Sequence, residues 1–261
     1  FKKGDQLKSK LDDYYFPFAL TKPIEKLTKS NMFSKLREYW KGRTSEAIIS
    51  ELEELSPVYL SLDPAFDFTH LGEDDPLRES NEIFKRLNRL KRQRIPSSIY
   101  PYLMQLLQFY REKQEQEDNV CKCIDIIEAY LVRRNFCGLQ NAGFTTLFRT
   151  MWGGGGATPN PKHLLEELHT KSGYDYPDDS LFVKQIRSVN SYSKTQLCRY
   201  VLNEFELDNA TSGHSEYVLD NYSDCTIEHI IPQDTTHWLA EMDKWDLPDG
   251  MKLEDWVSAH I

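Results

Sequence analysis

The chain has 261 residues, 39% hydrophobic and 12% aromatic, which is enough for the packed core of one large or two ordinary domains. No run approaches the roughly 18 apolar residues of a membrane span, and no charged-then-apolar leader opens the sequence, so a globular, soluble chain is expected. The net charge of −9 is unevenly placed: residues 201–261 hold fourteen Asp/Glu against Lys244 and Lys252, a balance of −12, leaving residues 1–200 at +3. An acidic tail of that kind repels a nucleic-acid backbone, so any phosphate contact belongs upstream of it.

In chain order, apolar residues at three- and four-residue spacing predict helices over Ile24–Trp40, Glu46–Leu55, Asn81–Lys91, Ile99–Gln116, Val120–Phe136, Phe144–Met151, Pro161–Lys171 and Leu181–Val189. Before Pro101, Ser98 is placed to cap, and Leu103, Leu106, Leu107 and Tyr110 form a stripe that means core. Loops are marked by Asp63-Pro64, by Glu73-Asp74-Asp75-Pro76, and by Gly153–Gly156 running on to Pro159 and Pro161. The glycine run lacks the Gly-Lys-Ser/Thr of a phosphate loop, and reads as a flexible joint between helices.

The densest basic stretch comprises Lys85, Arg86, Arg89, Lys91, Arg92 and Arg94, with Arg133 and Arg134 as a weaker pair downstream. On a helix the first six spread around more than half the circumference. One reading is a phosphate-contacting face for nucleic acid; the other is a solvated helix that neutralises nearby acids. Five cysteines (Cys121, Cys123, Cys137, Cys198, Cys225) are odd in number and lack C-x-x-C pairs, so buried thiols in a reducing cytoplasm are expected.

After Tyr192 the pattern changes. A helix over Tyr192–Glu206, with Leu197, Tyr200, Val201, Leu202 and Phe205 buried in part, gives way to a polar segment and then to short strand periodicity over Tyr222–Ile231, which sets a domain boundary near residue 207. Cys225-Thr-Ile-Glu-His-Ile-Ile-Pro-Gln233 carries an adjacent Glu228-His229 pair at the end of a β-branched run. A carboxylate beside an imidazole suits metal-dependent phosphodiester hydrolysis, which needs a base for water and an acidic ligand near the same phosphate. Neighbours on a strand face opposite ways, so the pair can serve one centre only if a bulge or the strand end bends them together. His237 and His260 stand at spacings from His229 that match no zinc pattern, and His214 sits in a Thr-Ser-Gly-His loop.

Thr226-Ile-Glu-His-Ile-Ile-Pro-Gln233 followed by Trp238 resembles the opening of the His-Me finger (HNH-type) nuclease domain of GmrSD-type modification-dependent restriction proteins and related anti-phage nucleases. Tyr130–Phe148 and Tyr192–Glu206 are similar to the helical segment before that nuclease, and Asp5–Leu11 to the stretch after their N-terminal ParB-like nucleotidase domain. The resemblance implies a mainly α fold: a helical domain over 1–207, then an incomplete ββα-metal α/β module over 208–261. It implies His229 as general base, Glu228 as ligand of a divalent metal, Mg²⁺ or Mn²⁺, Pro232 as the strand's end and Trp238 as packing. The family's Gly-Asn-Leu-type turn and its completing helix do not follow Trp256, and the chain opens on Phe1, so a fragment with weak activity of its own is expected. Further implications are a bacterial endonuclease whose partners are DNA, including modified phage DNA, a nucleotidase domain upstream, and further copies in a homo-oligomer. The alternative of a different class is a non-catalytic helical module that binds partner chains or dimerises.

Overall fold

The structure is a computed structural model and describes residues 4–64, 66–93, 95–141, 143–188 and 194–211, together with Ile227 and Asp255. Within them the chain is helical: α1 (Gly4–Leu20), α2 (Met32–Tyr39), α3 (Ser45–Ser61), α4 (Pro76–Glu79), α5 (Asn81–Arg92), α6 (Tyr100–Glu112), α7 (Glu117–Phe136), α8 (Phe144–Gly154), α9 (Pro161–Thr170), α10 (Asp179–Ser188) and α11 (Thr195–Thr211). No strand occurs among the described residues, and Ile227 has no regular secondary structure. The remainder of the expected ββα module, including Glu228 and His229, lies outside them. The chain divides into two compact units, Phe1–Tyr200 and Val201–Ile261, with the division inside α11.

The first unit is built on α6 and α7. Helix α6 packs on α1, α3, α4 and α8, while α7 packs on α5, α9 and α10 and also touches α6. Helices that meet neighbours on several sides must be apolar over most of their circumference. Accordingly α7 buries Val120, Cys121, Cys123, Ile124, Ile127, Tyr130 and Leu131. Its ends obey the helix dipole, with Glu117 and Asp118 in the first turn and Arg133 and Arg134 in the last. The stripe expected in α6 is inside, with Leu103, Leu106 and Leu107 fully buried and Tyr110 nearly so. Ser98 makes no capping bond; a 3₁₀ turn over Ser97–Ile99 leads into α6 and Pro101 takes the first turn, where its missing N–H costs nothing.

Helix α5 has a narrower buried stripe, Ile83, Leu87 and Leu90 at spacings of four and three. Its start is fixed by Ser80, whose hydroxyl accepts from the Ile83 N–H at 3.1 Å. The acidic loop before it is used in the same way: Asp75 accepts from the Leu77 N–H at 3.0 Å to begin α4, and its other oxygen takes a 2.9 Å bond from Arg111.

Two departures from the expected helices have local causes. Residues 24–31 form turns rather than the first half of a long helix, with Lys26 at a φ of +52° and the Asn31 side chain bonded to the Lys26 carbonyl and the Thr28 N–H. Self-bonding of this kind competes with helix. At the glycine run, α8 continues through Gly154, and the chain turns at Gly156, φ +80°. The His163 ring of α9 approaches so closely that a Cβ on Gly154 or Gly155 would stand 3.1 Å from it. Gly154 and Gly155 therefore leave room for the His163 ring at this corner, a packing use beyond the flexible joint that the sequence suggests.

Candidate functional site

The basic face of α5 is where the sequence concentrates its candidate phosphate contacts. A spacing of three residues, close to one helical turn, places Arg86 and Arg89 on the same side, toward α7. There Arg86 meets Asp125 at 3.0 Å and Glu82 of its own helix at 2.6 Å. Arg89 binds Asp125 at 2.8 Å and Glu128 through its Nε at 2.6 Å. Glu128 is 4% exposed and also accepts from the Tyr200 hydroxyl at 2.6 Å, which ties the start of α11 to α7. Burial alone would lower the Arg89 pKa, but the hydrogen bond and charge of Glu128 outweigh it and hold the guanidinium above its ordinary value. Cations held by two carboxylates each are a helix-to-helix connector, and this is the neutralising arrangement of the two that the charge run allows.

The remaining basic positions are spread over different environments. Lys91 is 5% exposed, with its ammonium 4.9 Å from the centroid of the Phe68 ring, and burial pushes its pKa down to about 8. Lys85 points to solvent beside Glu82 at 3.6 Å, Arg92 is half-buried, and Arg94 lies outside the described residues. Arg133 donates to the Pro177 carbonyl at 3.0 Å, pairs with Asp179, and its guanidinium lies 4.9 Å from the Phe182 ring. Arg134 is 3% exposed, set against the Tyr130 and Phe144 rings, and donates to the carbonyls of Asp175 and Gln140. Thus Arg86, Arg89, Lys91, Arg133 and Arg134 spend their charge inside the helical unit, and the seven described residues of the eight are not gathered into one face.

Sequence reasoning passed over Asp125 and Glu128, although these acids sit three apart on the same side of the predicted helix Val120–Phe136, and read Tyr200 only as partly buried. It also passed over Gln93 at the end of α5, 9% exposed with neither amide atom hydrogen-bonded. A buried polar atom left unpaired costs about 1–3 kcal/mol, so a carboxamide with both ends unpaired marks a place where stability is given up. No signal in the sequence announces it.

Cys121 and Cys123 are buried free thiols, both raised to about 11 by desolvation, as fits packing residues and not nucleophiles. Among the described residues no group of three or more His, Cys, Asp or Glu is placed to hold a metal ion, and no helix is long and apolar enough to cross a membrane. Comparison of the chain with protein-family models, with curated proteins and with solved structures gives no match.

Proposed function

We propose that this chain belongs to a metal-dependent DNA endonuclease of a bacterial anti-phage or modification-dependent restriction system, with residues 208–261 opening a His-Me finger nuclease module. The observation that carries the reading is the run Thr226–Gln233, in which Glu228 and His229 stand together before Pro232. His229 acts as general base and takes a proton from water as its oxygen attacks phosphorus. Glu228 is the ligand on offer for Mg²⁺ or Mn²⁺, a hard carboxylate donor suited to either, and the ion when bound supplies charge stabilisation at the leaving oxygen. The helical unit serves as the scaffold to which the nuclease module is joined. Its internal pairing of Arg86, Arg89, Arg133 and Arg134 supports that supporting role more than a role in phosphate binding.

The test is plasmid nicking by the full-length protein that carries these residues, with Mg²⁺ or Mn²⁺, beside its His229→Ala variant. Nicking by the parent and a loss of at least about a hundredfold in the variant, with an unchanged circular dichroism spectrum, is the expected result. Equal cutting by both proteins removes His229 from the chemistry.

A second reading, a non-catalytic module that docks partner chains, is supported by α10. That helix buries none of its residues and exposes Leu181, Val183 and Ile186 at 40%, 44% and 41%. Absence of cutting from either protein, with concentration-dependent association in sedimentation, is the outcome this reading requires.

A further inference from the structure

Four helices of the first unit each bring one aromatic side chain to the wall of a cavity of about 320 Å³: Phe16 from α1, Phe33 from α2, Tyr59 from α3 and Tyr100 from α6. The volume falls in the range that small ligands occupy. The Tyr59 and Tyr100 rings meet edge to face with centroids 5.9 Å apart, and the Phe33 ring stands at 79° to Tyr15. Helix α1 also brings Asp12 and Asp13 to the wall. Asp13 is exposed and open to contact. Asp12 has its Oδ1 buried without a hydrogen-bond partner, so that oxygen is closed to a ligand and acts through charge alone.

Burial raises the pKa of both tyrosines, Tyr59 to about 12, and the charges of Asp13 and Asp63 push each the same way. The two hydroxyls are therefore neutral at pH 7 and lie in a negative field. The face of an aromatic ring attracts a cation as well. The chain supplies an instance at this wall: the exposed Lys29, between α1 and α2, holds its ammonium 5.7 Å from the centroid of the Phe16 ring. A lysine ammonium is strongly hydrated and gains little from such a ring at an exposed site. An alkylated ammonium carries its charge on an apolar shell, which loses little water and adds contact area with the rings. We infer that this cavity binds a small organic cation with an alkylated ammonium head, packed against Phe16, Phe33, Tyr59 and Tyr100, its charge met by Asp12 and Asp13. A choline-type head group has that chemistry. The inference goes beyond the nuclease reading and uses none of its residues.

The experiment is calorimetric titration of the full chain with choline, tetramethylammonium, betaine and 3,3-dimethyl-1-butanol, the uncharged isostere of choline, repeated on Phe33→Leu, Asp13→Asn and Lys29→Gln. The expected result is saturable binding of choline and tetramethylammonium, with the uncharged isostere about tenfold weaker or worse. Betaine binds less tightly than choline, because its carboxylate meets the acids of α1. Phe33→Leu, at a ring that is 51% exposed, weakens choline about threefold or more, and thermal unfolding without ligand matches the parent. Asp13→Asn weakens choline and leaves the isostere unchanged, while Lys29→Gln strengthens choline by removing the competing cation from the Phe16 ring. The inference is overturned by no binding of choline or tetramethylammonium up to about 10 mM. It is equally overturned by the isostere or betaine binding as tightly as choline, by affinity indifferent to both Phe33→Leu and Asp13→Asn, or by weaker binding to Lys29→Gln.

Discussion

Replacing Lys91 by methionine should make the protein more stable, even though the wild-type residue sits in the densest basic stretch of the chain. The residue is 5% exposed and its pKa falls from 10.5 to about 8 because burial disfavours the charged form, against a weaker opposing pull from Asp63. A fall of that size corresponds to a penalty of about 3 kcal/mol for keeping the side chain charged at pH 7. The contact of the ammonium with the Phe68 ring, at 4.9 Å, returns about 1 kcal/mol of this. Methionine keeps the length and apolar stem without the charge, so the net gain expected at pH 7 is about 2 kcal/mol. The folded pKa lies below the unfolded one, so between about pH 8 and 10.5 the unfolded chain binds the extra proton and the wild type recovers the penalty as pH rises. The advantage of Lys91→Met should therefore be full at pH 7 and nearly gone at pH 10.5. Urea unfolding of both proteins, followed by circular dichroism at the two pH values, measures it; the comparison cancels every other group that titrates in that window. A variant less stable than wild type at pH 7, or a gap of the same size at both pH values, refutes the reasoning.

Arg89→Met should cost about 3 kcal/mol, because Glu128 is left buried with its main cation gone. Tyr200→Phe should cost about 1 kcal/mol, and the double variant less than the two together, since both act on one carboxylate. A double-mutant cycle that is additive within error would mean that the three groups do not act as a network. Cys121 and Cys123 should resist thiol reagents at pH 8 in the native chain and react fully in urea, a difference read by mass spectrometry of labelled peptides. Both thiols have folded values above the ordinary value of 9.0, so the stability they contribute is present below pH 9 and is lost as pH rises toward about 11. Native labelling of either at pH 8 contradicts the burial.

The central helices were legible because their apolar spacing agrees with their packing: Ile83, Leu87 and Leu90 in α5, the leucines of α6, and the nearly continuous apolar surface of α7. Helix α1 was not, because Asp12, Asp13 and a cluster of aromatics around Pro17 show no helical period. That segment is held by tertiary contact, as where the Tyr14 ring lies 5.0 Å from Tyr59 and its hydroxyl donates to the Leu52 carbonyl. Likewise α3 runs beyond the expected Glu46–Leu55 through Pro57 to Ser61, where packing overrides propensity. The charge run of α5 was visible in sequence, but the acids that receive it sit 36 to 39 residues downstream, and only the fold brings them into register. Of the candidate site, Glu228 and His229 are singled out by sequence resemblance alone and lie outside the described residues, whereas Gln93 owes its interest wholly to being enclosed without a partner.

The seat of Arg134 has a consequence for how unevenly the helical unit should respond to its medium. Its guanidinium is received by two main-chain carbonyls and two aromatic faces, none of which changes charge between acid and neutral conditions. The α5–α7 connector, by contrast, rests on ion pairs between full charges, which salt screens. Added salt should therefore weaken one seam of the molecule while the seat of Arg134, whose partners carry no net charge, keeps its grip, so that the unit loosens from one side before it unfolds as a whole.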